Sequence, residues 1–147
     1  MATYGRDDAV HLEQALASLL EQSLPASEVV LVEDGPIGDA SRSVIEGHRA
    51  RLNIQSVVMP RNVGLATALN AGLQHCRHEI VFRFDSDDVA LPQRFASQMS
   101  AFETVPQVDV MGSYAQEMDS AGTPGRIRSM PLSHDEILAT LWACPLI

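Results

Sequence analysis

Two short runs constrain this chain more than any other feature. Glu28-Val29-Val30-Leu31-Val32 and Ile80-Val81-Phe82-Arg83-Phe84 are almost wholly apolar, and each breaks off into carboxylates, at Glu33-Asp34-Gly35-Pro36 and at Asp85-Ser86-Asp87-Asp88. A strand that does not alternate polar with apolar is covered on both faces, as in parallel sheets flanked by helices. Helical periodicity surrounds the runs. Ala9 to Gln22 carries Leu12, Ala15, Leu16, Leu19 and Leu20 at the 3.6 period, with Asp7 and Asp8 at its positive end. A helix is expected from Asp39 to Arg51, then a strand from Ile54 to Met59 stopped by Pro60. Asn62 is placed to cap a helix carrying Leu65, Leu69 and Leu73. Pro92 opens another, with Leu91, Phe95, Met99 and Phe102 on one face. The βαβα alternation defines an α/β chain of the doubly wound class, with a mostly parallel sheet and ligands beyond the carboxyl ends of its strands. Farther on, the pattern predicts a strand over Val108 to Tyr114, a turn at 121–125 and a returning strand from Arg126 to Met130. Ser133-His134-Asp135-Glu136 has capping-box spacing and starts a last helix through Leu141 and Trp142.

A length of 147 residues suits one domain, and 46% apolar against 20% charged residues is the balance of a chain with a packed core. A net charge of -9 argues against a surface that tracks nucleic-acid phosphates. All 10 basic residues are arginine, which removes the phosphate-loop lysine, Schiff-base catalysis and lysine-assisted phosphoaspartate chemistry together. Two cysteines, Cys76 and Cys144, build neither a disulfide framework nor a zinc site, and read as reduced thiols. His75-Cys76-Arg77-His78 reads as a surface turn, and Trp142 as a core residue. With no ~20-residue apolar span and no secretion signal at the start, the expected location is the cytoplasm.

Chemistry is expected where the strands end. Parallel strands would bring Asp34 and the Asp85, Asp87, Asp88 cluster to one edge of the sheet, facing one crevice. Like charges this close repel, and a hard divalent cation such as Mg²⁺ or Mn²⁺ relieves the conflict, keeping waters or substrate phosphates as its other ligands. The rival reading is a solvated acidic turn that caps the next helix. Arg83 lies two residues before Asp85 on the same side of the pleat, placed to brace that carboxylate, to reach a phosphate, or simply to form an ion pair. Arg61 and Asn62 follow another strand end, where a cation and a helix N-terminus can meet a diphosphate.

Four segments in order resemble family 2 glycosyltransferases of the GT-A fold: Ser18-Leu19-Leu20-Glu21-Gln22-Ser23, Val30-Leu31-Val32-Glu33-Asp34-Gly35, Arg61-Asn62-Val63-Gly64-Leu65-Ala66 with Ala68-Leu69-Asn70, and Arg83-Phe84-Asp85-Ser86-Asp87-Asp88 with Pro92. The resemblance implies a UDP-sugar donor, a divalent metal, Mn²⁺ or Mg²⁺, and inverting transfer to a glycan or lipid-linked acceptor in surface-polysaccharide synthesis. It matches Ala2, Thr3 and Tyr4 to the loop that cradles the base and Asp34 to the carboxylate that binds uracil. Asp85 and Asp87 match the metal-binding pair, Asp87 as the direct ligand and Asp85 nearer the ribose and diphosphate. A general base is expected beyond residue 147, because Asp135-Glu136 comes too early and belongs to the capping box. Measured against the family, the first strand is reduced to Met1 to Tyr4 and the acceptor-binding half is missing. The expectation is therefore a donor-binding domain, inactive alone, peripheral at the inner membrane face where the acceptor is lipid-linked, with exposed sheet edges that invite a homo-oligomer. Two alternatives stand beside this one: a haloacid dehalogenase-like phosphotransfer enzyme with Asp85 as nucleophile, and a non-catalytic nucleotide-binding module.

Overall fold

The computed structural model describes residues 1–105, 107–119 and 122–140, with backbone only at Thr140. The expected continuation of the last helix through Leu141 and Trp142, along with Cys144, lies outside them. Two compact units are formed, Met1–Thr104 and Val105–Ile147.

The first unit is built on a parallel sheet of order β1-β2-β3, comprising β1 (Ala2–Thr3), β2 (Val29–Glu33) and β3 (Ile54–Val58). All five residues of β2 are buried, as its unbroken apolar run requires. Val29 and Leu31 face a core made with Leu12, Leu16 and Leu19 of α1 (Ala9–Leu20) and Ile45 and Leu52 of α2 (Asp39–Leu52). Val32 belongs to a second cluster with Ala2 and with Ala68 of α3 (Leu65–Leu73), so both faces of β2 are covered. Asp8 begins α1 by accepting the Val10 N–H at 2.9 Å, and Asn53 ends α2 in the left-handed conformation. Met1 to Tyr4 does serve as a first strand, short as it is: the Val32 N–H donates to the Met1 carbonyl at 3.0 Å and the Asp34 N–H to Thr3 at 2.8 Å.

The expected strand over Ile80 to Phe84 does not form. Residues 80–84 join no ladder, although Phe84 is buried and Phe82 stacks on Phe95 with centroids 4.3 Å apart. β1 is the reason. Its two residues pair with Val32 and Glu33, and beside Val29 and Val30 lies an apolar cavity of about 470 Å³ bounded by Met1, Ile80, Val81 and Phe82. An apolar run becomes a strand only where a neighbour offers backbone partners.

α4 (Arg94–Thr104) starts two residues after Pro92 rather than at it, and the segment before it is fastened by Gln22, two residues beyond the end of α1. This buried side chain donates to the Ala90 and Leu91 carbonyls at 3.3 and 2.9 Å and accepts the Phe95 N–H at 3.1 Å. Gln22→Ala strands a buried N–H and two carbonyls and is expected to cost about 2 kcal/mol in denaturant unfolding; an unchanged midpoint would refute this role.

In the second unit β4 (Ala115–Met118) pairs antiparallel with β5 (Pro124–Arg128), followed by α5 (His134–Thr140). The strands expected over Val108 to Tyr114 and Arg126 to Met130 are thus corrected to positions nearer the turn. Asp119 sets the register: its carboxylate accepts the Thr123 N–H at 2.9 Å and its carbonyl the Gly122 N–H, so pairing begins directly outside that loop. The capping box forms as expected, with Ser133 and Glu136 exchanging bonds of 3.1 and 3.3 Å. Among the described residues no helix is long and apolar enough to cross a membrane.

Candidate functional site

Asp34 is the centre of the site. The end of β2 carries it to the carboxyl edge of the sheet, where it is 4% exposed. Its Oδ1 accepts the Val63 N–H at 2.7 Å and its Oδ2 the Gly64 N–H at 3.1 Å. These amides open α3, so a carboxylate from another strand end caps that helix. Asn62 is consequently not the cap; Gly64 holds that position, and the Asn62 amide donates instead to the Asp34 carbonyl at 3.4 Å. The local sequence requires this crossing. Gly35 has φ +87°, and a Cβ there would lie 2.6 Å from the Asn62 nitrogen, so the turn after Asp34 packs directly on the loop before α3.

Around Asp34 a cleft of about 610 Å³ is lined by Tyr4, Gly5, Arg6, Pro36 and Asn62. That volume lies within the range of small-ligand sites. Tyr4 is 41% exposed and available to a flat ligand. Ala2 and Thr3 are buried in β1 and are not among the residues lining the cleft. Arg61 is exposed and is not among the residues lining it. Arg6 is the lining cation instead. Its place two residues after Tyr4, in a loop leaving a strand end, was the signal available for it.

The acidic turn is reached through Asp7. The Ser86 hydroxyl donates to Asp7 Oδ2 at 2.8 Å, tying the segment between Asp85 and Asp87 to the loop after β1. Arg83 forms an ion pair with Asp85, Nη2 to Oδ1 at 2.6 Å, and is itself more than half exposed. Arg94 lies over the Phe84 ring at 5.5 Å and donates to the Arg83 carbonyl, holding the strand-like segment from behind. Asp87 is exposed. Partial burial, together with the neighbouring charges of Asp85 and Asp87, pushes the Asp88 carboxyl above the ordinary aspartate range. Asp85 and Asp87 do not line the cleft around Asp34; the Ser86–Asp7 bond is what joins the two features.

The donor set of this turn is all oxygen and carries negative charge that Arg83 only partly offsets, which suits a hard divalent cation. Among the described residues no group of three His, Cys, Asp or Glu side chains converges to hold a metal on protein ligands alone. Such a cation would need its remaining ligands from water or phosphate.

The pattern of glycosyl transferase family 2 matches residues 1–143. The chain belongs to that family. It is 39% identical over 137 residues to the amylovoran biosynthesis glycosyltransferase AmsE of Erwinia amylovora, covering 93% of this chain and 51% of that protein. It is 34% identical over 139 residues to an Escherichia coli UDP-Gal:alpha-D-GlcNAc-diphosphoundecaprenol beta-1,3-galactosyltransferase, covering 94% of this chain and 50% of the other. The chain thus spans about half the length of these relatives. Among solved structures, the mannosyltransferase PcManGT of Pyrobaculum calidifontis, in complex with GDP-Man and Mn²⁺, superposes with TM-score 0.62 at 27% identity, over 73% of this chain and 32% of that one. TarS of S. aureus gives 0.62 at 25% identity, over 70% and 18%. The fold is therefore of GT-A type, as the sequence motifs implied.

Proposed function

We propose that this chain is the donor-binding part of an inverting family 2 glycosyltransferase that takes a UDP-sugar and a divalent cation and serves surface-polysaccharide synthesis. The observation that carries the reading is the joining of a cleft around Asp34 to a carboxylate turn through Asp7 and Ser86. A nucleoside diphosphate has this shape: a flat, hydrogen-bonding base at one end and charge at the other. Tyr4 offers a face to the base, and Asp34, anchored by two backbone amides, keeps lone pairs for a uracil N–H. Arg6 and Asn62 stand along the cleft for ribose or phosphate oxygens.

Asp87 and the Asp85 oxygen not engaged by Arg83 are the groups that would hold Mg²⁺ or Mn²⁺. When bound, such a cation offsets the charge that grows on the departing diphosphate. Arg83, already braced on Asp85, adds a second cation near that charge. The acceptor hydroxyl, attacking from the opposite side of the sugar, requires a general base, a role assigned to none of the described residues. The relatives named above, one a galactosyltransferase acting on a diphosphoundecaprenol-linked sugar and one an amylovoran enzyme, support a glycan or lipid-linked acceptor.

Calorimetric titration with Mn²⁺ tests the nucleotide choice. UDP is expected to bind at least about tenfold more tightly than GDP, since a site hydrogen-bonding one base leaves polar groups unpaired with another. Equal affinities would remove uracil recognition from Asp34, and preference for GDP would assign a different donor.

A further inference from the structure

We propose that Asp7 is a positioning residue that fixes the distance between the base-facing loop and the carboxylate turn, acting through the Ser86 hydroxyl. This rests on the donor-site reading above and deepens it. One carboxylate oxygen, Asp7 Oδ2, accepts three bonds: from Thr3 Oγ1 at 3.0 Å, from the Tyr4 N–H at 3.2 Å and from Ser86 Oγ at 2.8 Å. The Asp7 N–H in turn donates to the Tyr4 carbonyl at 3.0 Å, closing the turn that presents Tyr4 to the cleft.

The two hydroxyl donors are buried, Thr3 at 1% and Ser86 at 9% exposure, so neither can turn to bulk water if Asp7 is removed. A carboxylate is suited to this junction because it only accepts, and its charge strengthens each bond. The neighbouring Asp8 has a separate task, capping α1 through Val10. Adjacent aspartates that read together as helix-start residues are thus divided, one serving the helix and the other crossing 79 residues of chain.

Ser86 stands between Asp85 and Asp87. Its inward bond to Asp7 sets the turn while Asp87 stays exposed. A nucleoside diphosphate would have to reach from the Tyr4 side to the Asp85–Asp87 side at once, so the spacing of the two decides whether both ends engage together. For reacting groups a misplacement of about 1 Å can cost on the order of 100-fold in rate, and a ligand held at two points depends on the same spacing.

The test compares the full chain with Asp7→Ala, Asp7→Asn, Ser86→Ala and the Asp7→Ala/Ser86→Ala double variant. UDP is titrated in Mn²⁺, and amide exchange is followed in the unliganded proteins. Asp7→Ala and Ser86→Ala are each expected to weaken UDP binding roughly tenfold or more, and the double variant no more than the worse single, because both break one connection. Asp7→Asn, whose amide oxygen can still accept, is expected to recover most of the affinity. In Asp7→Ala, exchange should quicken in residues 3–8 and 84–90 together while α2 and β3 stay protected. Additive losses, or faster exchange in residues 3–8 alone, would overturn the proposal by reducing Asp7 to a local turn residue. Should the unaltered chain bind no UDP, the donor-site reading fails; joint quickening of the two segments would then support the connection, and its absence would overturn that too. If Asp7→Ala does not fold, Asp7→Asn and Ser86→Ala carry the same comparison.

Discussion

Asp34→Ala is expected to lose about 3 kcal/mol of folding stability, because two backbone amides at the start of α3 lose a charged acceptor in a buried place. The same change is expected to abolish measurable UDP binding. The two effects separate by temperature and by chemistry. Well below the unfolding midpoint the variant is folded, so an absent titration signal there reports on the site rather than on unfolding. Asp34→Asn keeps an acceptor for one amide and reverses the donor pattern presented to a base. It should therefore recover part of the stability and little of the affinity. Retained UDP affinity in a destabilised Asp34→Ala protein would leave Asp34 as a helix cap and nothing more.

Asp87→Ala is expected to behave in the opposite way. The side chain is exposed, so stability should change by no more than about 0.5 kcal/mol. Its removal also takes one negative charge from beside Asp88, whose carboxyl should fall back toward its ordinary range. Metal-dependent UDP affinity, however, should drop roughly 100-fold, about 2.7 kcal/mol. Asp34 and Asp87 thus form a contrasting pair. One is expected to couple fold and function and the other to affect function alone, in keeping with a buried side chain and an exposed one.

What the sequence made legible follows from range. β2 was readable because being covered on both faces leaves a local trace, five apolar or buried positions in a row ending in a carboxylate. α1 and its Asp8 cap were equally local. Residues 80–84 carry the same apolar trace and still form no strand, because pairing depends on a neighbour that the run itself cannot reveal. The hairpin of β4 and β5 was displaced for a similar reason: the Asp119 turn, not the apolar pattern, fixes its register. In the site, the residue types were visible and their partners were not. Asp34 could be chosen as a carboxylate at a strand end, but its bonds to Val63 and Gly64 span some thirty residues. Asp7 and Gln22 were hidden inside helix-end patterns that explained them adequately from local chemistry alone. Arg6 was overlooked beside Arg61, the cation with the more suggestive neighbours.

The most direct test of the central claim is calorimetric titration of UDP into this chain with Mn²⁺, without metal, and with Mn²⁺ after Asp87→Ala. A donor site built on Asp34 and the Asp85–Asp88 turn predicts binding that requires Mn²⁺ and is lost in the variant. Metal-independent binding, or no binding by a chain shown to be folded, would contradict it.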